Sequence, residues 1–308
     1  MASMPERLKY SIIMFLAGGS YGLVVPLVRL AQIDGFKTGQ IMATQYLVAT
    51  VALSIGCLLF SRVSIGWKDT LKLLGVGVVS SGVSFCYFQA LERISPAMSL
   101  TLLFQFVWMG LVVQAVRTRT VPRLSTVITV LLVVVGAVLA TGFLDEGFTS
   151  GGLDLVGVLF GFLSAVCYTA YLVLNSHVAT HKPALNRGMF VALGSMIVSF
   201  SITPQYFAEP LIVINPLLSL GLGLAGTLVP IVLTAWSAPK LPSGLMTVMA
   251  SSELPSGVLC AAVFLGEPVS LTIGIGVAIV LFGIVASEME TLRSLRNRGK
   301  AGFTSRRE

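Results

Sequence analysis

The chain has 308 residues, of which 55% are apolar and only 11% are charged, and its mean hydropathy is +0.92. An average soluble domain carries about 25% charged residues, so most of this chain cannot face water. The figures exclude a disordered chain, a disulfide scaffold and a nucleic-acid-binding module, and they leave no room for a soluble catalytic domain. With about 20 apolar residues per spanning helix, they predict an all-α polytopic membrane protein of about ten spans.

Ten apolar runs account for these spans in chain order. Cuts at charged, proline-rich and glycine-rich breaks place them at about 10–30, 41–61, 71–91, 95–116, 124–143, 153–175, 187–207, 213–236, 243–265 and 269–287. The runs are apolar on every side instead of at every second residue, which favours helices over a transmembrane β-barrel. All four cysteines lie inside such runs and indicate no redox compartment.

The distribution of Lys and Arg predicts the orientation of the chain. With a cytoplasmic N-terminus, 17 of the 20 basic residues fall on cytoplasmic segments, and only Arg29, Lys37 and Arg93 fall outside. The positive-inside rule therefore places both termini in the cytoplasm. The acidic segment from Asp145 to Asp154 is expected to face outside, and the basic tail to lie against anionic headgroups or to be disordered.

The chain also repeats itself. A shift of 147 residues aligns its two halves without a gap and brings Tyr21 onto Tyr168 and Gly136 onto Gly283. Because each half has an odd number of helices, the second half must enter the membrane from the opposite side, which predicts an inverted repeat of the kind found in many membrane carriers. The predicted units are two five-helix repeats and a basic cytoplasmic tail, at residues 1–146, 147–288 and 289–308.

The second half carries the residues of a family signature. The run from Ser251 to Pro255 is followed by Val263 to Pro268 and then by Gly274 to Gly283. This order resembles the second-half signature of the EamA-type carriers of the drug/metabolite transporter superfamily, and the segment from Phe88 to Ala97 is similar to their third-to-fourth helix hinge. The resemblance implies ten helices in two inverted halves, a plasma-membrane location and transport of small metabolites, often amino acids or amphiphilic drugs.

Among the 13 acidic residues, Glu253 alone falls near the centre of a predicted span. A carboxylate at that depth costs about 2.5 to 3.5 kcal/mol, so it should face a polar cavity or be protonated. Pro255 follows two residues later, lacks an N–H and is expected to free the carbonyl of Ser251. We predict that Glu253 binds the solute and that Glu253 and Pro255 serve in gating or coupling. The alternative is a structural role, in which Glu253 bonds a neighbouring serine of a kinked helix.

A second group of candidates lies in the fourth span, where Gln105 aligns with Ser252 of the other repeat. The residues Thr101, Phe104, Gln105 and Trp108 follow the i, i+3, i+4, i+7 pattern of one helix face. An amide among aromatic walls is typical of a small-molecule site, although core packing is the alternative. The other predicted solute-binding residues near the midplane are Gln45, Tyr87, Tyr21 and Tyr168.

Together these residues predict a secondary transporter that moves a small organic solute by alternating access. No Walker pattern is present, so a gradient or exchange must supply the energy. The alternative is a membrane-embedded lipid-modifying enzyme, but the spans lack a catalytic carboxylate pair and a histidine. No cofactor or metal is expected, although His177 and His181 are four residues apart. The expected partners are the solute and membrane lipids. Near the outer helix ends, Glu92, Arg93 and Glu267 form gate pairs or remain exposed loop charges.

Overall fold

The computed structural model describes residues 4–94, 96–142, 154–208, 210–266 and 268–304. Within these ranges the chain is helical with short connections, and no strand occurs among them. The all-α prediction is therefore confirmed. Of the acidic segment predicted to face outside, only Asp154 is among the described residues.

In the described ranges we group the long helices into ten segments, numbered α1 to α10, with the letters a and b for the parts of an interrupted segment. The first five are α1a (Met4–Gly22) and α1b (Val24–Ile33), α2 (Thr38–Phe60), α3 (Trp67–Leu91), α4a (Pro96–Leu103) and α4b (Phe106–Thr118), and α5 (Leu124–Ala140). The last five are α6 (Leu155–Asn175), α7 (Ala184–Ile202), α8a (Pro216–Leu220) and α8b (Val229–Ser237) joined by a π-helix (Gly221–Leu228), α9a (Ser243–Ala250) and α9b (Glu253–Leu265), and α10 (Leu271–Thr304). Shorter helical pieces are Pro204–Phe207, Leu211–Ile214 and Ala238–Lys240.

Nine of these segments, counted over the described part of the chain, are long and apolar enough to cross a membrane. The remaining one, α5, has 17 residues and is a shorter apolar helix. The protein is therefore a multi-pass membrane protein. A helix of 17 residues is about 26 Å long, slightly less than the roughly 30 Å of a hydrocarbon core, so length alone leaves the crossing of α5 unconfirmed.

The helix breaks repeat with the same shift of 147 residues that aligns the sequence. Segment α4 is interrupted at residues 104–105 and α9 at residues 251–252. Both second parts end on a residue with left-handed backbone, at Arg119 (φ 50°) and Gly266 (φ 66°). Two unrelated apolar sequences would not share such backbone features, so the structure supports the two-repeat layout.

The two repeats pack into one bundle through close contacts between backbones. Segment α3 packs on α6 and α7, α2 on α7, and α5 on α10. At Gly77 an added Cβ would lie 2.2 Å from the carbonyl oxygen of Val191, and at Gly276 it would lie 2.3 Å from the amide nitrogen of Ala140. Glycine is therefore required where α3 meets α7 and where α10 meets α5.

The chain ends share one side of the bundle. Short connections make successive segments antiparallel, and Ser11 near the start of α1 lies close to Glu288 near the end of the apolar part of α10. We call this the terminal side. Helix α10 continues to Thr304, so the basic tail predicted after residue 288 is helical through that residue, and of its two predicted states contact with anionic headgroups stays a prediction.

Candidate functional site

Glu253 is the first residue of α9b, directly after the break in α9. The break is held against α1a by two serines. Ser252 Oγ donates to the carbonyl oxygen of Phe15 at 2.6 Å, and Ser256 Oγ donates to that of Gly19 at 2.8 Å. The carboxyl group therefore sits at a helix N-terminus inside the bundle, where unpaired backbone amides favour negative charge.

The break does not arise in the way that the sequence suggests. We expected Pro255 to free the carbonyl of Ser251, but that carbonyl accepts a bond from the backbone amide of Leu254 at 3.2 Å. Pro255 lies in the first turn of α9b, where a residue without an N–H removes no helical bond. The turn at residues 251–252 therefore breaks α9, and Pro255 is compatible with this break but does not cause it.

An aromatic cluster adjoins the carboxyl group of Glu253 through Tyr168. Tyr168 Oη donates to Glu253 Oε2 at 3.2 Å. The Tyr21 ring packs edge-on against the Tyr168 ring with centroids 6.4 Å apart, and the Phe106 ring lies 4.5 Å from the Tyr168 ring between centroids. Tyr87 is close enough for a charge interaction with Glu253. The structure thus brings together three of the predicted tyrosines, two of which occupy equivalent repeat positions.

A cavity of about 170 Å³ reaches Glu253 from the side opposite the termini. Its far end is formed by Thr141, which follows α5, and by Pro268, which connects α9b to α10. Phe104 lines its inner part, and its other walls are mostly apolar. The volume is smaller than the roughly 300 to 1,000 Å³ of most drug-sized sites, so it suits a compact solute.

On the terminal side of Glu253 an aromatic layer closes the bundle. The layer consists of Phe106, Tyr168 and Tyr171, all of which are buried. The Tyr168 and Tyr171 rings stack with centroids 6.3 Å apart. This layer separates the carboxyl group from the terminal side, so the described cavity leads to the opposite side.

The predicted face of the fourth span is split by the break at residues 104–105. Phe104 is 1% exposed and lines the cavity. Trp108 is 36% exposed and is not among the residues that line the cavity. Its Nε1 donates to Gln105 Oε1 at 2.9 Å, and Gln105 Nε2 donates to the Thr101 carbonyl at 3.0 Å. Thr101, Gln105 and Trp108 therefore stay together across the break, whereas Phe104 alone reaches the cavity.

Gln45 also lies away from the cavity. It is buried in α2, and its backbone carbonyl oxygen faces the π-helix of α8, where an added Cβ at Gly223 would lie 3.3 Å from it. It is not among the residues that line the Glu253 cavity. A role in solute binding therefore remains a prediction for this residue.

Arg187 is a polar residue of the interior that the sequence pattern does not reveal, because its position at the start of an apolar run is typical of a loop charge before α7. The structure buries it inside the bundle at 2% exposure. Its Nη1 donates to the Ala235 carbonyl at 2.6 Å and its Nη2 donates to the Asn175 carbonyl. No ion pair to it occurs in the described ranges. A basic residue at the edge of an apolar run is typical of a cytoplasmic loop. Only the packing of α6, α7 and α8b shows that this one is buried.

On the side opposite the termini, an ion pair joins the two repeats. Arg93 Nη1 lies 3.3 Å from Asp154 Oδ2. Asp154 also caps α6, because its Oδ1 accepts from the backbone amides of Val156 at 2.8 Å and Gly157 at 3.3 Å. These amides and the Arg93 guanidinium lower the pKa of the Asp154 carboxyl group.

The other charged candidates make local contacts. Glu92 accepts a bond from Gln89 at 3.4 Å, whereas Glu267 lies outside the described residues. His181 Nε2 lies 3.2 Å from Asp69. Across the part of the chain that the structure describes, no group of three or more His, Cys, Asp or Glu residues is placed to hold a metal.

Comparison with known proteins identifies the family. The sequence profile of the EamA-like transporter family matches residues 8–142 and 155–288, which correspond to the two helical repeats. Among 29 matching chains of solved structures, one known only as a crystal structure of a protein is 18% identical, with a TM-score of 0.74. The structural match covers 92% of this chain and 98% of the other chain, which shows a shared fold. No curated protein matches significantly. The chain belongs to the EamA-like transporter family.

Proposed function

We propose that this protein is a secondary active transporter that moves a small organic solute with a basic nitrogen across the plasma membrane. The observation that carries the proposal is the carboxyl group of Glu253, which lies at a helix break, at the inner end of a cavity that leads to one side. The family points to a transporter and not to the lipid-modifying enzyme considered as the alternative.

Coupling follows from the chemistry of one carboxyl group. Glu253 accepts either a proton or the cationic group of a solute, because both neutralise the same charge in a site of low polarity. Binding of one therefore displaces the other. A transporter with this exchange at its centre converts a proton gradient into a solute gradient.

The recognition of a basic nitrogen rests on the surroundings of Glu253. Tyr168 bonds it, the Tyr21 ring packs edge-on against the Tyr168 ring, and Phe104 lines the cavity. Aromatic faces attract cations, and apolar walls accept the hydrocarbon part of an amphiphilic amine. Gln105 and Trp108 bond each other at the start of α4b, away from the cavity. We propose that they contact the solute in a different state of the transport cycle.

Alternating access is supported by the symmetry of the breaks in α4 and α9. In inverted-repeat transporters, one set of segments rocks against the other around a site near the midplane. With both termini in the cytoplasm, as the basic residues predict, the cavity leads outside and the aromatic layer closes the inside. We include α5 as the tenth crossing helix, with about 4 Å of length difference absorbed by local thinning of the bilayer.

The test is uptake into proteoliposomes under an imposed pH gradient, with a panel of radiolabelled primary amines and amino acids. We expect Glu253→Gln to fold and to exchange solute for solute, but to lose net accumulation. Glu92→Gln, an acid-to-amide change on an exposed residue, should behave as the original protein. Accumulation by Glu253→Gln with unchanged pH dependence would exclude the proton role. Unchanged competition between cationic and neutral analogues would exclude the binding role.

A further inference from the structure

A second polar cluster lies on the terminal-side face of the aromatic layer and shares Tyr171 with it. It consists of Tyr171 on α6, Arg187 on α7 and Thr234 on α8b, and we call it the Arg187 cluster. Each of these residues is at most 2% exposed. Arg187 Nε, Tyr171 Oη and Thr234 Oγ1 are buried without a hydrogen bond in the described structure. Buried polar groups are nearly always bonded, so three such atoms in one place require an explanation.

The three residues are neighbours inside the bundle. Arg187 donates to the carbonyl of Ala235, the residue next to Thr234, and to that of Asn175, one turn after Tyr171. The Tyr171 hydroxyl lies near the hydroxyl groups of Tyr21 and Thr234 and within electrostatic reach of the Arg187 guanidinium, although it makes no normal hydrogen bond. The bonds of Arg187 to two helix ends therefore fix its guanidinium in this cluster, where its Nε–H has no bond and two neighbouring hydroxyl groups have none either.

The charge and the donors of the cluster select its ligand. The guanidinium carries one positive charge, and no carboxylate forms an ion pair with it in the described ranges. One anion would neutralise that charge, and it would need to accept bonds from an N–H and two hydroxyl groups. A carboxylate has one charge and about four acceptor sites in a plane, which matches a guanidinium edge better than a spherical ion does.

We propose that the Arg187 cluster is a binding site for the carboxylate group of a small organic anion. Tyr171 is three residues after Tyr168, the residue that bonds Glu253, so the cluster lies about 5 Å nearer to the terminal side. A site for a cation and a site for an anion then flank the aromatic layer. If the proposed function holds, the transported solute carries both a basic nitrogen and a carboxylate, and it meets the two sites in sequence.

The test is the thermal stability of the purified full-length protein in detergent, titrated with sodium propionate at constant ionic strength. We expect a saturable rise in Tm with propionate and none with propionamide, its neutral analogue of similar shape. Sodium chloride at equal concentration should raise Tm less, and chloride should not compete with propionate for the site. This arm distinguishes carboxylate recognition from binding of any monovalent anion.

Two variants isolate the cluster without breaking the fold. Tyr171→Phe and Thr234→Val each remove a hydroxyl that makes no bond in the protein, so the unliganded Tm should stay equal or rise. Each should weaken propionate binding about tenfold, the effect of losing one hydrogen bond to a charged group. Thr50→Val is the matched control, because Thr50 on α2 also has a buried hydroxyl without a partner in the described structure. Arg187→Gln should abolish the propionate effect if it folds.

The inference is overturned if propionate produces no saturable shift, if propionamide shifts Tm equally, or if chloride competes fully with propionate. It is also overturned if both hydroxyl variants bind propionate as the original protein does. Glu253→Gln should retain propionate binding, since Glu253 lies across the aromatic layer. The transport measurements on Glu253→Gln and the propionate titrations therefore test the two proposals separately, and one proposal can fail without the other.

Discussion

At the scale of single residues, the site depends on the hydroxyl that reaches Glu253. Tyr168 donates to that carboxyl group at 3.2 Å while its ring packs on Phe106 and Tyr21. The ring and the hydroxyl therefore have separable roles. A phenylalanine at position 168 keeps the packing and removes only the donor.

We expect Tyr168→Phe to lower the free energy of unfolding by about 1.5 to 3 kcal/mol, the range for a hydrogen bond to a charged group, and to slow gradient-driven uptake. Tyr21→Phe is the control. Tyr21 occupies the equivalent repeat position, but the hydroxyl that donates to Glu253 is that of Tyr168. Chemical denaturation and proteoliposome uptake measure the two effects. Equal losses in both variants would show that the hydroxyl of Tyr168 has no special role at Glu253.

A second residue-scale prediction concerns the cap of α6. The amides of Val156 and Gly157, together with Arg93, lower the pKa of Asp154 in the folded state. The stabilisation is therefore complete above the unfolded pKa of about 4 and is lost as the pH falls through the lower folded value. The Tm of the original protein should exceed that of Asp154→Asn at pH 7, and the difference should shrink toward pH 3. A difference that is constant with pH would contradict the assignment.

At the scale of helices, sequence reasoning placed the segments but not their breaks. Apolar runs locate helices because the hydrocarbon core fixes their length, and the repeat shift predicted which segments correspond. The breaks at residues 104–105 and 251–252 contain neither proline nor glycine. They depend on tertiary bonds such as that of Ser252 to Phe15, which no local pattern records. The predicted grouping of Phe104 with Trp108 assumed an unbroken helix for this reason.

The contact between α1 and α9b gives a prediction at this scale. An added Cβ at Gly22 would lie 1.9 Å from Ser256 Oγ and 2.5 Å from the amide nitrogen of Gly257, so α1 must move away from the site. We expect Gly22→Ala to destabilise the protein by about 1 to 3 kcal/mol and to reduce uptake. At Gly19 an added Cβ meets nothing within 4 Å, so Gly19→Ala should keep or slightly raise the stability. Similar Tm values for the two variants would contradict the close contact.

At the scale of the whole molecule, the burial of Arg187 shows that the order and orientation of the helices do not predict which polar side chains lie inside the bundle. Sequence analysis counted it among the cytoplasmic charges, and its removal from that count leaves the asymmetry of Lys and Arg intact. Its contacts come from the ends of α6 and α8, two segments that only the folded bundle brings together. The composition therefore predicts the orientation of the protein, whereas the polar sites inside it depend on packing.

Alternating access makes a prediction about the two sides of the bundle. Thr141 lines the far end of the cavity, whereas Asn175 is buried near the terminal side and its carbonyl accepts from Arg187. With the four native cysteines replaced by serine, Thr141→Cys should react with a membrane-impermeant maleimide from outside. Asn175→Cys should react several-fold more slowly and from the cytoplasmic side.

Conditions that slow labelling at position 141 should accelerate it at position 175, because opening one side requires closing the other. Val121→Cys, in the exposed connection between α4b and α5, is the control and should label at a constant rate. Rates at positions 141 and 175 that rise and fall together would exclude rocking of the repeats. Labelling of position 141 only from the cytoplasm would reverse the orientation that the basic residues predict.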